Sequence, residues 1–480
     1  MEYKIHGYEP ACFFRFFEEI CAIPHGSCNE AAVADYLVYF ARARGLAVWR
    51  DEMQNVFIRK AGTPGREHEA PILIQGHTDM VCEKNADVVH DFARDPLKLA
   101  LTDDGKVYAE GTTLGADNAV AVVAMMALLD GALDSHPPLE CLFTSQEEIG
   151  MHGAAAFDCS LITARRMLNL DSESDDSAVV GCAGGLRSDM TIPVTRTPFG
   201  GEALSIEVKG LIGGHSGENI HLDRGNANKI MGRMLSALLL GEHDLHLCSM
   251  EGGSKDNAIP RECRALVSVS SADAAMKKLN ALAEEIRGEL VADDSAFSVV
   301  LASAAAPAVM LDAESTRRVI VTVEVAGVGV LAMNQTLNVV EFSRNLAVIR
   351  TADTAVRITF SSRSPKNSQL DASALELDTL AAFVGGTVNH HSRYPGWDYT
   401  EVSPLRDAYV SAYKALWGEE PIVKIIHAGL ECGLLKSKIP DMDIIAIGVN
   451  LENIHSPQEK MELASCEKLW KIIAKMLSKS

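Results

Sequence analysis

Three observations predict the fold class. Strand-like segments alternate with helix-like runs up to about residue 184, the pattern changes near Gly185, and the first pattern returns past Trp397. Together they indicate an α/β domain, a mixed sheet with helices on both faces, interrupted by an inserted α+β domain. The boundaries follow as 1–184 for the first part of the α/β domain, 185–397 for the insert and 398–480 for the second part.

Ala70–Ile74 and Arg166–Leu170 are apolar runs of strand length, and Asn118–Leu129 reads as a helix between them. In the insert, the strands Ala203–Val208, Ala265–Val269 and Val356–Ser361 alternate with the amphipathic helices Asn226–Leu240, Ala274–Leu290 and Asp371–Val384, as an antiparallel sheet with helices requires. Val325–Thr351 has a hydrophobic rhythm without sharper landmarks. Beyond Tyr394-Pro395-Gly396-Trp397 come a helix-like stretch, the strand-like Ile444–Val449 and a closing helix expected over Pro457–Leu477.

A length of 480 residues exceeds what one core usually serves, so two domains with room for a shielded site are expected. The formal charge of -21, from 65 acidic against 44 basic residues, would repel phosphate backbones and anionic lipid. Nucleic acid and membrane are therefore not expected as partners. The longest uncharged apolar run, Ala119–Leu129, is too short to span a bilayer, and the N-terminus lacks a basic stretch followed by an apolar core. Eleven scattered cysteines without a C-x-x-C pair read as reduced thiols, which points to the cytoplasm.

Ligand-type residues recur where strands end, the place where open α/β sheets bind ligands. These are His77 in Gly76-His77-Thr78-Asp79, Asp117 in Gly115-Ala116-Asp117-Asn118, the tandem Glu147-Glu148, Asp171, and His455 before Ser456-Pro457. Singly, each has an ordinary reading: a hydrogen-bonded structural histidine, a turn or helix-capping aspartate, a solvated acidic turn. In combination they fit a binuclear metal site. Asp117 is suited to bridge two cations, Asp79 to accept a hydrogen bond from the second nitrogen of His77, and one of the tandem glutamates to bind metal while the other moves a proton.

Five segments, Gly76-His77-Thr78-Asp79-Met80, Gly111–Asn118, Gln146–Gly150, Gly213-Gly214-His215-Ser216-Gly217 and Asn453–Pro457, resemble the motifs of aminoacyl-histidine dipeptidases. That group, which includes carnosinase-like enzymes, falls among the co-catalytic zinc metallopeptidases related to aminoacylase and carboxypeptidase G. The resemblance runs in order over nearly the whole chain. It implies one zinc on His77 and Asp171, a second on Glu148 and His455, Asp117 between them, Glu147 as general base, a cis peptide after Asp117, and a homodimer.

It also implies that the insert is a lid, with His215 steadying the developing oxyanion and Asn257 near the substrate. Cobalt or manganese could substitute for zinc on such ligands. Arg363, at the end of a lid strand, suits bidentate binding of a substrate carboxylate. Glu431 could receive the substrate ammonium, and His427 nearby could equally be structural. The expected activity is hydrolysis of unblocked dipeptides, including Xaa-His and carnosine-like substrates. An N-acyl amino acid deacylase or tripeptide aminopeptidase would use the same metals and base. A non-catalytic peptide-binding scaffold would have lost ligands that this sequence retains.

Overall fold

The computed structural model describes residues 3–335 and 337–478. The chain divides into two compact units, the first formed by Met1–Cys182, Trp397–Ile425 and Leu430–Ser480, the second by Ala183–Gly396 with Ile426–Gly429.

The first unit is built on an eight-stranded mixed sheet. Its order is Ala47–Arg50, Val56–Lys60, Leu139–Thr144, Ile72–His77, Arg166–Ser172, Asp443–Gly448, Ser177–Cys182 and Ile422–Ile426. The four strands from Leu139–Thr144 to Asp443–Gly448 run parallel, so their C-terminal ends open on one edge. Register fixes what meets there: His77 lies opposite Thr144, and Gln75 opposite Asn169.

Helix Ala116–Asp130 packs on Ile72–His77, on Arg166–Ser172 and against helix Ala11–Cys21. It is apolar around its whole circumference, as a helix enclosed on all sides must be. Its approach to the sheet requires Gly76, where a Cβ would come within 2.2 Å of the Ala121 side chain.

The second unit carries a nine-stranded antiparallel sheet. Eight strands follow the order Ser298–Ser303, Glu202–Lys209, Cys263–Val269, His246–Gly252, Val339–Thr351, Ala355–Ser364, Gly184–Pro193 and Thr387–Tyr394, and Gly329–Asn334 pairs with Val339–Thr351. Helices Ala227–Leu239, Ala272–Glu289, Ala313–Val325 and Asn367–Phe383 help to close a separate core that includes Met234, Leu279, Ile320 and Leu377.

The α/β class and the α+β insert are as expected from the sequence, and most predicted elements fall within a few residues of the observed ones. The closing helix differs: it spans only Leu463–Leu477. Lys460–Glu462 is instead a strand paired with Lys106–Tyr108, and Glu459 turns inward to backbone amides rather than outward to solvent. Among the described residues, all eleven cysteines are free, and no helix is long and apolar enough to cross a membrane.

Candidate metal centre

The parallel strand ends of the first unit deliver the predicted ligands to one place. His77 terminates its strand, Asp171 is the second-to-last residue of the neighbouring strand, and Glu147 and Glu148 follow the strand ending at Thr144. Asp117 sits in the first turn of helix Ala116–Asp130, beside a cis peptide to Asn118, and His455 occupies a turn with φ +59°. Donor atoms of His77, Asp117 and Asp171 gather within 4.8 Å of one another, and so do those of Asp117, Glu148 and His455.

Asp117 belongs to both groups. Its Oδ1 lies 3.1 Å from His77 Nε2 and its Oδ2 lies 3.2 Å from His455 Nε2, one oxygen to each imidazole. His77 Nε2 is 3.6 Å from Asp171, and His455 Nε2 is 3.0 Å from Glu148. Imidazole and carboxylate donors in two triads sharing one carboxylate suit a pair of divalent cations.

The electrostatics favour positive charge at the same points. Burial works against a charged His77, yet Asp171 and Asp117 overcome it and hold the imidazole well above its ordinary range. Hydrogen bonds donated to the carboxylates of Asp117 and Glu148 push His455 up to about 11. Burial would raise Asp117, but the two imidazoles outweigh it and keep that carboxyl ionised. Protons are thus drawn to the nitrogens that a cation would occupy, and burial raises the remaining carboxyls Glu147, Glu148 and Asp171.

Asp79 acts differently from the expectation. His77 Nδ1 donates to the backbone carbonyl of Asp79 at 2.9 Å, while the nearest carboxylate oxygen is 3.5 Å away. That carboxylate instead accepts the N–H groups of Glu147 and Glu148, at 2.9 and 3.3 Å, and the hydroxyl of Ser27 at 2.8 Å. The His-x-Asp spacing returns the main chain under the ring, which leaves the side chain free to hold the tandem glutamates. His77 still presents Nε2 to the cluster.

Glu147 lies with Glu148 and His77, and its carboxylate makes no hydrogen bond among the described residues. Glu148, by contrast, is engaged by His455. This asymmetry separates a free carboxylate from a committed one.

Glu431 does not match the substrate-ammonium expectation. It has no exposed surface, and its Oε2 accepts from Gln75 Nε2 and from Thr144 Oγ1 at 2.6 Å. Asn169 extends this network by donating to Gln75 at 2.7 Å, and its own oxygen accepts the N–H of Asp171 at 3.3 Å. Glu431 therefore ties two strands directly and a third through Gln75, while its Oε1 has no partner among the described residues. Sequence reading also missed Glu459, which receives the backbone amides of the Asp117 turn and lies in the segment expected to open the closing helix.

His215, Asn257 and Arg363 lie in the second unit. His215 pairs with Ala258 in a two-residue ladder, and the carbonyl of Asn257 accepts the N–H of Ser216 at 2.8 Å. Arg363 is 4% exposed, donates to the Tyr394 hydroxyl at 3.1 Å, and leaves Nε without a partner. Around Gly217, a Cβ would meet His427 O at 2.5 Å, His215 at 3.1 Å and Arg363 at 3.3 Å. Burial and then the Arg363 charge lower both histidines, His427 to about 3, so this pocket holds neutral imidazoles beside a guanidinium. His427, whose Nε2 lies 2.7 Å from Ser343 Oγ, is the further residue that sequence reading left unassigned.

Comparison with known proteins places these features in context. The model of peptidase family M20/M25/M40 matches residues 73–479. The chain is 36% identical to the cytosol non-specific dipeptidase of Escherichia coli over 98% of its own length and 97% of that protein. The crystal structure of aminoacylhistidine dipeptidase from Vibrio alginolyticus superposes with a TM-score of 0.93 at 35% identity, covering 99% of each chain. An aminopeptidase from Bacillus cereus shares the fold, with a TM-score of 0.56 at 16% identity over 98% of each chain.

Proposed function

Because the chain belongs to peptidase family M20/M25/M40 and is a peptide-bond hydrolase, we propose that it is a two-zinc dipeptidase acting on unblocked dipeptides, Xaa-His and carnosine-like substrates included. The observation that carries this reading is Asp117, which offers one carboxylate oxygen to each of two imidazole-bearing triads. His77 and Asp171 would hold one ion, Glu148 and His455 the other. When bound, the ions supply Lewis acidity to the scissile carbonyl and lower the pKa of water toward about 7.

The protein's own groups do the rest. Glu147, free of other partners, takes a proton from the attacking water and delivers it to the departing amine. Asp79 fixes the backbone from which Glu147 and Glu148 project. In the second unit, Arg363 with its unpaired Nε is suited to the substrate carboxylate, Asn257 to the peptide, and His215 as a neutral imidazole to the carbonyl oxygen as negative charge develops. A cytoplasmic homodimer is part of the proposal.

The test is a panel of carnosine, Ala-His, Gly-Gly-Gly and N-acetyl amino acids assayed with zinc, cobalt or manganese. Turnover of the free dipeptides is expected, and exclusive turnover of acetylated substrates would overturn the reading.

A further inference from the structure

The turn that presents Asp117 is held from a distant part of the chain. Gly115 has φ +68°, and Asp117 and Asn118, with ψ 98° and 39°, are not helical, so the regular part of helix Ala116–Asp130 starts after Asn118, whose Oδ1 accepts the N–H of Ala121 at 3.3 Å. The amides of the turn ahead of it meet a carboxylate instead. Glu459 Oε2 accepts the N–H of Leu114 at 2.7 Å and of Gly115 at 3.0 Å, and Oε1 accepts those of Ala116 at 2.9 Å and Asp117 at 3.4 Å.

Four consecutive amides thus converge on one side chain that is 2% exposed. Such a concave run of donors suits an acceptor with two oxygens, and the carboxyl group of Glu459 fills it. The turn packs closely on Met80, since a Cβ at Gly115 would come within 2.7 Å of its Sδ.

Glu459 lies four residues beyond His455, so a single segment contributes one ligand directly and clamps the turn that carries the shared one. We infer that Glu459 is a positioning residue for the metal centre: it sets the distance between Asp117 and the two imidazoles by fixing the main chain beneath Asp117. This inference rests on the two-metal reading proposed above. Both carboxylate oxygens are needed as acceptors. A glutamine of the same size would turn an NH2 group toward two of the amides, whereas aspartate would keep both acceptors on a shorter arm.

The experiment compares the full-length wild type with Glu459→Gln and Glu459→Asp. Zinc stoichiometry and affinity are measured by competition with a chromophoric chelator, and hydrogen exchange is followed for a peptide spanning Gly111–Val120 in the metal-free proteins. Wild type should bind two equivalents. Glu459→Gln should keep its fold by circular dichroism, exchange faster in that peptide, and bind zinc about 10–100-fold more weakly, with Glu459→Asp milder.

Two zinc equivalents at unchanged affinity in Glu459→Gln, or a glutamine variant better than the aspartate one, would overturn the inference and leave the two-metal reading intact. Failure of the wild type itself to bind two equivalents would sink that reading instead. The exchange of the Asp117 turn would then still report whether Glu459 clamps it, and unchanged exchange in both variants would overturn the clamp.

Discussion

Burial raises the carboxyls of Glu147 and Glu431 alike, yet their partners give them different uses. Glu147 has no hydrogen-bond partner to lose, so Glu147→Gln should leave zinc stoichiometry at the wild-type value and lower kcat by about 10²–10⁴-fold. Metal analysis beside steady-state kinetics checks this, and unchanged turnover would remove Glu147 from the mechanism. Glu431 is held at about 7, chiefly by burial, against an ordinary value of 4.5. The unfolded chain therefore releases this proton at lower pH than the folded chain does. Its contribution to stability is present below pH 4.5 and is lost as pH rises through about 7. A difference of this size is worth on the order of 3 kcal/mol. In the metal-free protein, Glu431→Gln should flatten the decline between pH 5 and pH 8, read as the change in urea midpoint, and parallel wild-type and variant curves would contradict the assignment.

Elements convert these residues into geometry, and here legibility in the sequence was uneven. His77, Glu147 and Glu148 follow apolar strands with clear boundaries, and the parallel register that brings His77 opposite Thr144 explains why they converge. Local pattern carries that information. Glu459 was opaque and Glu431 was legible only as a candidate for another role, because the partner that withdraws each from water is remote in sequence. Leu114–Asp117 does this for Glu459, and Gln75 with Thr144 does it for Glu431. The start of helix Ala227–Leu239 was legible at Asn226, whose Oδ1 accepts the N–H groups of Asn228 and Lys229 at 3.0 and 3.1 Å. Its second role was not, since the same amide donates to Asn345 Oδ1 and Leu346 O. Asn226→Ala should cost about 1–2 kcal/mol, by loss of the cap. Asn226→Asp, which keeps the cap but sets a carboxylate against two acceptors, should fail to restore it fully. Equilibrium urea unfolding of both variants measures the difference, and wild-type midpoints would show that the cap is dispensable.

For the whole molecule, the division into two units has a thermodynamic consequence. The core of the first unit includes Phe17, Val122, Leu168 and Ile473, that of the second Met234, Leu279, Ile320 and Phe360, and the two clusters share no residue. All five proposed metal ligands belong to the first unit. An ion that binds the folded state alone adds about 2.7 kcal/mol when its free concentration is 100 times its Kd, and it adds this only to the cooperative unit that holds its ligands. Scanning calorimetry with and without zinc should therefore resolve a zinc-sensitive transition and a zinc-insensitive one. Asp117→Asn, which weakens the carboxylate shared by both triads, should reduce the zinc-dependent displacement of the first transition and leave the second in place. If both transitions instead move together by the same amount, the units unfold as one cooperative body, and separate cores do not translate into separate stabilities.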